Sequence, residues 1–519
     1  MGDGLDRRRL IAGGAAAGVV LAAGRFAGGA ESPFTLGVAS GSPSADGFVI
    51  WTRLAPQPLA PDGQGGLSGP VEVAWEVAGD EALRGIVARG RAVADNDLAH
   101  SVHVEVAGLK PDRPYWYRFT AQGVQSPIGR ARTGPAAGAR LAGLRLAFAS
   151  CAHWEAGWFS AYRHMAAENP DLVVFLGDYI YEYSYAASRT DLVRRHDRQD
   201  ECRSLSAYRN RYALQKSDPD LQALHAAAPC IATWDDHEVQ NDYSNVWSQI
   251  GTIPVEEFRA RRAAAYQAFY EHMPLRRRVM ANLPEVRVYD RFAYGDLADI
   301  HLLDGRQYRS IQPCPVGNSR RGHVAPDSCA DLHDASRTML GQNQEQWLYD
   351  GFKSGRARWT IVAQDLLVAP LAEKTSRGEP GAFTDGWSGY EANRARMLNA
   401  LTASRPHNPV FFGGDMHAWF TTDLKADFAR AGSPVIATEF VGGSITSDPA
   451  ADSLAAEMPA NPHIRYFENR SHGYITAQLS PGRMETRFRA ISDRRDPHAG
   501  ISTLKLWGVE DGRPGAAES

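Results

Sequence analysis

Several apolar, β-type runs in this sequence end in residues whose side chains bind metals or move protons. The run 144–150 ends in Cys151. The run 172–177 ends in Asp178, with Tyr181 three residues on. The run 230–234 ends in Asp235-Asp236-His237-Glu238, 299–304 closes on Asp304, and 409–414 ends in Asp415 followed by His417. In open α/β sheets ligands gather outside the carboxyl ends of strands, so five ends would deliver a thiol, a phenol, two imidazoles and a set of acids to one edge. Asp178, Asp235, Asp236, Asp304 and Asp415 cannot all stay ionised there without countercharge. Arg306 and Arg309, near Asp304 in the chain, can pair some of them. A metal cluster accounts for the set more economically. Singly these motifs are weak, because Gly-Asp after a strand is a common turn and a lone His is commonly structural; the weight lies in the five together.

Two ligand sets separate by chemistry. Cys151, Asp178 and Tyr181 sum to −3 as thiolate, carboxylate and phenolate, which suits a trivalent ion. A phenol with a pKa of about 10 ionises near neutrality only beside a strong Lewis acid. Zn²⁺ favours Cys and His, and Ca²⁺ avoids sulfur. Fe³⁺ is therefore expected, with His417 completing its shell. Asp236, Asn241 and Asp415, with Asp178 shared, offer oxygen and no sulfur, which suits Ca²⁺, with Mg²⁺ or Mn²⁺ as alternatives. A carboxylate shared between ions roughly 3.5–4 Å apart is the usual two-metal arrangement for displacement at phosphorus.

The elements that must position these residues follow from patterning. Residues 34–134 are short alternating segments bounded by turn residues, which predicts a small β-sandwich domain. Gly108-Leu109-Lys110-Pro111 ahead of Tyr115 resembles the corner of a fibronectin type III sandwich, where a Tyr hydroxyl ties a loop to backbone. A Gly/Ala/Pro-rich stretch, 133–144, separates this region from apolar runs that alternate with helical segments such as 258–273 and 391–403. That alternation predicts a layered α/β core over 144–507, and residues 508–519 read as a flexible tail. Lys and Arg total 56 against 60 Asp and Glu, a net charge of −4, so nucleic acid is not held by charge alone. Five cysteines in 519 residues exclude a disulfide scaffold. Cys314 and Cys329, in a Gly/Pro/Ser-rich insertion, are expected to pair after export.

Residues 1–30 read as an export signal. Arg7-Arg8-Arg9 precede an apolar run from Leu10 to Gly24, shorter than the roughly 20 residues a membrane span needs, and small residues follow to Ala30. The order Asp6-Arg7-Arg8-Arg9-Leu10-Ile11 resembles a twin-arginine signal. Export through that machinery to the periplasm or beyond, and no membrane span in the mature chain, are the expectations.

In combination and order, Cys151, Gly177-Asp178-Tyr179-Ile180-Tyr181, Trp234-Asp235-Asp236-His237-Glu238, Asp304-Gly305-Arg306-Gln307-Tyr308 and Gly414-Asp415-Met416-His417 resemble the PhoD-type alkaline phosphatases, a distant branch of the binuclear metallophosphoesterases. The resemblance runs from the leader to about residue 490. It implies a metallophosphoesterase-type core of mixed β-sheets covered by helices, Fe³⁺ and Ca²⁺ in the site, and phosphomonoester or phosphodiester substrates. Attack by a metal-bound hydroxide is expected, with His237 protonating the leaving group and Arg306 clamping a phosphate oxygen; His237 as a support for Asp236, and Arg306 as a salt bridge, are the competing roles. The sequence departs from the general superfamily pattern at Cys151-Ala152-His153, at Asp236 in place of a ligand Asn, at Asp415, and at Gln364-Asp365 where a lone His is usual; it departs from the PhoD-type pattern at Gly305, which is expected to loosen its loop. Two other readings remain: a phospholipase D-like diesterase acting on phospholipids, and a surface-binding protein with a degenerate hydrolase domain.

Overall fold

The apolar runs that end in candidate ligands are strands, divided between two sheets. Leu144–Ala149, Leu172–Leu176 and Cys230–Thr233 run parallel within a ten-stranded sheet. Ala298–Leu302, Trp359–Ala363, Pro409–Gly413 and Val435–Val441 run parallel within a seven-stranded one. Every residue of Leu172–Leu176 and Trp359–Ala363 is buried, which is why these strands read as continuous apolar runs. The sheets meet through Leu146, Phe148, Val174 and Ile231 on one side and Ile300, Ile361, Val410 and Phe412 on the other. The rings of Phe148 and Phe412 stack 3.9 Å apart. Each such side chain contributes about 1.5–3 kcal/mol by burial, so the strand ends are fixed by a stiff double layer.

This computed structural model describes residues 32–280, 286–375 and 377–519; the expected leader, 1–30, lies outside the described residues. Helices Ser160–Ala167, Leu205–Lys216, Pro219–Ala227 and Val255–His272 cover the outer face of the ten-stranded sheet. Helices Gln342–Ser354 and Glu391–Ser404 cover that of the seven-stranded sheet. The core is thus α/β, with mixed sheets between helical layers. No helix among the described residues is long and apolar enough to cross a membrane.

Residues 38–132 are all β. Strands Val38–Ser44, Gly47–Arg53 and Ser101–Val106 face Val71–Ala78, Ile86–Ala94 and Pro114–Ala121 across Phe48, Ile50, Val73, Val77, Tyr117 and Phe119. The Tyr115 hydroxyl accepts from the Lys110 N–H at 3.0 Å and donates to the Lys110 carbonyl at 3.3 Å, the corner the sequence suggested. Two expectations are corrected. The sandwich is not separate from the core, because Val38–Ser44 pairs in parallel with Cys230–Thr233, Gly41 opposite Cys230, so one sheet runs through both regions. Residues 508–519 are not a tail. Ile501–Glu510 and Arg513–Glu518 form an antiparallel pair at the edge of the ten-stranded sheet, and Trp507, Val509 and Ala516 pack into the inter-sheet core. Small polar composition suggested fraying; backbone pairing to a buried strand overrides it.

Candidate functional site

Four of the residues at the strand ends hold a backbone shape that side chains rarely adopt. Cys151, Asp178, Asp415 and His417 have φ of 60°, 51°, 62° and 49°. The left-handed region costs an L-residue roughly 1–2 kcal/mol, and such strain persists where surrounding structure enforces it. Here Glu238 is one enforcer. Its carboxylate accepts the backbone N–H groups of Asp178 at 3.1 Å, Tyr179 at 2.6 Å and Asp235 at 2.8 Å, tying two strand ends together. Gly177, at φ 91°, leaves room for this, since a Cβ there would lie 2.4 Å from that of Asp235. The Cys151 carbonyl accepts from the backbone of Thr446 and Ser447 and from the Ser447 hydroxyl.

The sulfur-containing set comes together. Ligand atoms of Cys151, Asp178 and His417 all lie within 4.8 Å of one another. The Tyr181 hydroxyl joins them, donating to Asp178 Oδ2 at 2.8 Å and lying 3.1 Å from His417 Nε2 and 2.7 Å from the Ser447 hydroxyl. Burial, reinforced by Asp178, pushes the Cys151 thiol far up. Burial likewise raises Asp178 against the pull of His237. His417 falls to about 4 through burial and then His237, so its imidazole is neutral, the ligating form.

The oxygen-rich set is brought together in part. Asp236 groups with Asp235 and Asp415, with Asp178 and His237, and with Asp242 and Asp385. The amide nitrogen of Asn241 contacts Asp242, and its backbone N–H donates to Glu182. Asp304 leaves the charge problem altogether, because its carboxylate accepts from Trp234 Nε1, the backbone of Arg306 and Gln307, and Gln307 Nε2. Of the two roles expected of Arg306, the salt bridge is formed, while its Nη2 has no hydrogen-bond partner among the described residues. It is fully buried; Nε meets Asp235 and Nη1 meets Asp385 at 2.6 Å. Arg309 is buried beside it, also on Asp385. Burial opposes ionisation of Asp385, but these two guanidiniums hold it well below the usual carboxylate range.

The fit to cations is tested by what remains unpaired. Asp178 Oδ1, Asp235 Oδ2, Asp236 Oδ1 and both Asp365 oxygens are buried with no hydrogen-bond partner among the described residues. Orphaned anionic oxygens at this density demand positive charge, so the residues present fit metal ions. Gly305 does not loosen its loop: a Cβ there would lie 2.5 Å from Asp365 Oδ1, so the Gly and the Asp that depart from the general pattern are packed against each other.

His237 Nδ1 lies 2.7 Å from Glu182 Oε2, and Glu182 Oε1 accepts the Asn241 N–H at 2.8 Å. Its ring lies against Tyr181 and Tyr183, at 4.2 and 5.3 Å between centroids. His153 caps a short turn, its Nδ1 accepting from the Glu155 N–H, and stacks on Tyr185. Sequence reasoning gave no role to Glu182, Asp242 or Asp385, and named Glu238 only as part of its run. No local signal marks Asp385, which meets Arg306 from 79 positions away. Cys314 and Cys329 are disulfide-bonded, and Cys151, Cys202 and Cys230 are free and buried.

Comparison with known proteins agrees with this geometry. The family model for PhoD-like phosphatases matches residues 146–488, and that for the PhoD-like phosphatase N-terminal domain matches 21–135. Alkaline phosphatase D of Bacillus subtilis (strain 168) is 44% identical over 478 residues, covering 91% of this chain and 80% of that protein. The solved structure of PhoD superposes with a TM-score of 0.88 at 42% identity, covering 95% of this chain and 93% of the other.

Proposed function

The chain belongs to the PhoD-like phosphatase family, a phosphoric ester hydrolase, and on that premise we propose that it is an exported, metal-dependent enzyme cleaving phosphomonoesters and phosphodiesters. The observation that carries the reading is the convergence of Cys151, Asp178, His417 and the Tyr181 hydroxyl beside buried carboxylate oxygens that lack partners. Fe³⁺ held by Cys151, Asp178, Tyr181 and His417, and Ca²⁺ (or Mg²⁺ or Mn²⁺) held by Asp236, Asn241 and Asp415 with Asp178 shared, would supply charge neutralisation at phosphorus and a nucleophilic water. The chain's own residues do the rest. Glu238 and Gly177 hold Asp178 in its strained turn. Glu182 fixes Nδ1 of His237 as the donor toward its carboxylate, leaving Nε2 as the working nitrogen for a proton to the leaving oxygen. Arg306 and Arg309 hold Asp235 and Asp385. The export half of the reading rests on the Arg-rich, apolar leader of residues 1–30.

One experiment tests the whole. The enzyme purified from the exported fraction should hydrolyse p-nitrophenyl phosphate and bis-p-nitrophenyl phosphate. It should carry iron and a hard divalent ion, and absorb visible light through the thiolate and phenolate ligands. Tyr181→Phe should shift that band. His237→Ala should lose more on alkyl than on nitrophenyl esters, and Arg7→Lys with Arg8→Lys should retain activity in the cytoplasm. A colourless, fully active zinc enzyme would overturn the ferric assignment; absence of any ester hydrolysis would overturn the function.

A further inference from the structure

The reaction gives no task to the insertion between Cys314 and Cys329, yet this segment reaches the site. The disulfide closes it, and Val316 and Ser319 pair across a turn within it. It then docks on two loops that carry site residues. The Gly251 N–H donates to the Asn318 carbonyl at 2.8 Å, and the Arg320 N–H to the Gln249 carbonyl at 2.9 Å. The Thr384 N–H donates to the Gly322 carbonyl at 3.0 Å, and the Gly322 N–H to Thr384 Oγ1 at 3.0 Å. These contacts pin the backbone on both sides of Arg321, whose Nε lies 2.6 Å from Asp242 Oδ2. Asp242 groups within 4.8 Å with Asp236 and Asp385, and its own N–H donates to Asp236 at 2.6 Å. Arg321 thus stands one carboxylate away from a residue assigned above to a metal.

It differs from the other arginines of the site in one respect. Arg306 and Arg309 are wholly buried and committed to acids. The Arg321 side chain is 38% exposed, and among the described residues its two terminal nitrogens have no hydrogen-bond partner. The ring of Phe383 lies 5.6 Å from its Cζ, which leaves the guanidinium one edge on Asp242 and another toward solvent. A planar fork so placed is suited to a carboxylate or phosphoryl group.

We propose that Arg321 is a specificity residue: it binds a second anionic group, carboxylate or phosphoryl, on the part of the substrate beyond the reacting phosphate. This rests on the phosphohydrolase reading above. Asp236, Asp242 and Asp385 are buried together; the partly exposed Arg321 offsets Asp242 and offers an approaching anion a partner. A quaternary ammonium, as in a choline ester, meets like charge there. The insertion buries little apolar surface of its own, its cluster being Val324, Cys329, Leu332 and Ala382 with Cys314 against it, so the disulfide and the docking contacts hold the arginine in place.

Glycerol 3-phosphate and 3-phosphoglycerate release phosphate from the same kind of primary hydroxyl and differ by a carboxylate, so their kcat/KM ratio reports Arg321. The parent enzyme should favour 3-phosphoglycerate. Arg321→Gln should lower the ratio about tenfold, chiefly through KM, the scale of a charge-assisted hydrogen bond, and Arg321→Lys should restore part of it. Cys314→Ser with Cys329→Ser should lower it in the same direction. An unchanged ratio in Arg321→Gln overturns the proposal; an unchanged ratio in the double serine variant overturns the disulfide's part in it. A parent enzyme that hydrolyses no phosphate ester, p-nitrophenyl phosphate included, overturns the phosphohydrolase reading instead.

Discussion

The two halves of the site hold their acids in opposite ways. Around Asp235 and Asp385 the countercharge is built in: Arg306 and Arg309 are fully buried, and their guanidiniums meet both carboxylates. Around Asp178 no arginine approaches among the described residues. Its neighbours are a thiol, a phenol and a neutral imidazole, and Oδ1 has no partner. The arginine half carries its countercharge within the protein, although Asp235 Oδ2 and Arg306 Nη2 have no hydrogen-bond partner among the described residues. The sulfur half offers metal-type ligands in place of an arginine. Asp236 and Asp415 stand between the two halves, 3.8 and 3.7 Å from Arg306 Nη2.

That contrast predicts two unlike phenotypes. Asp178→Asn should abolish turnover of p-nitrophenyl phosphate by more than about 10⁴-fold, over 5 kcal/mol of barrier at 1.36 kcal/mol per decade, and should empty the site of iron by elemental analysis. Its urea midpoint in the metal-free state should not fall, because the substitution removes a buried unpaired charge. A large loss of metal-free stability would erase the distinction. Arg306→Leu should do the reverse in stability, lowering unfolding free energy by about 3–5 kcal/mol, because Asp235 is left uncompensated and Asp385 keeps Arg309 alone. A loss below about 1 kcal/mol in urea unfolding would show that the arginine lattice is not a scaffold.

What was legible in the sequence divides along the same line. The strands and their terminal residues were readable, because continuous apolar runs stopped by polar residues are a local signal. Cys151, Asp178, Tyr181 and His417 could be grouped from ligand charge alone, and the structure brings them together. The arginine lattice was not readable. Arg306 meets Asp235 across 71 positions and Asp385 across 79, and nothing in either segment's pattern says which of several acids it takes. The sheet running through both the N-terminal region and the core was hidden for a similar reason, since it hangs on one parallel pairing of Gly41 with Cys230. The last strand was hidden because composition suggested a tail, while its stability comes from partners in Ile501–Glu510.

A third way of holding a buried acid lies outside the site and gives the smallest expected effect. Glu439 is fully buried on Val435–Val441, where its carboxylate accepts the N–H groups of Val368 at 2.6 Å and Ala369 at 3.1 Å. Burial outweighs these bonds and the pull of Arg394, and raises its pKa from 4.5 to about 7. The folded protein therefore binds a proton there that the unfolded chain has released between those values. Stability from this group is fully present below pH 4.5 and is lost as pH rises through 7, by about 3 kcal/mol. Glu439→Gln mimics the protonated form at every pH. It should match the parent in urea unfolding at pH 5 and exceed it at pH 8. A gap between variant and parent that is the same at both pH values would mean that the backbone donors, and not burial, decide the charge of Glu439. The acid would then belong with Asp385, held ionised by its neighbours, and not with Asp178.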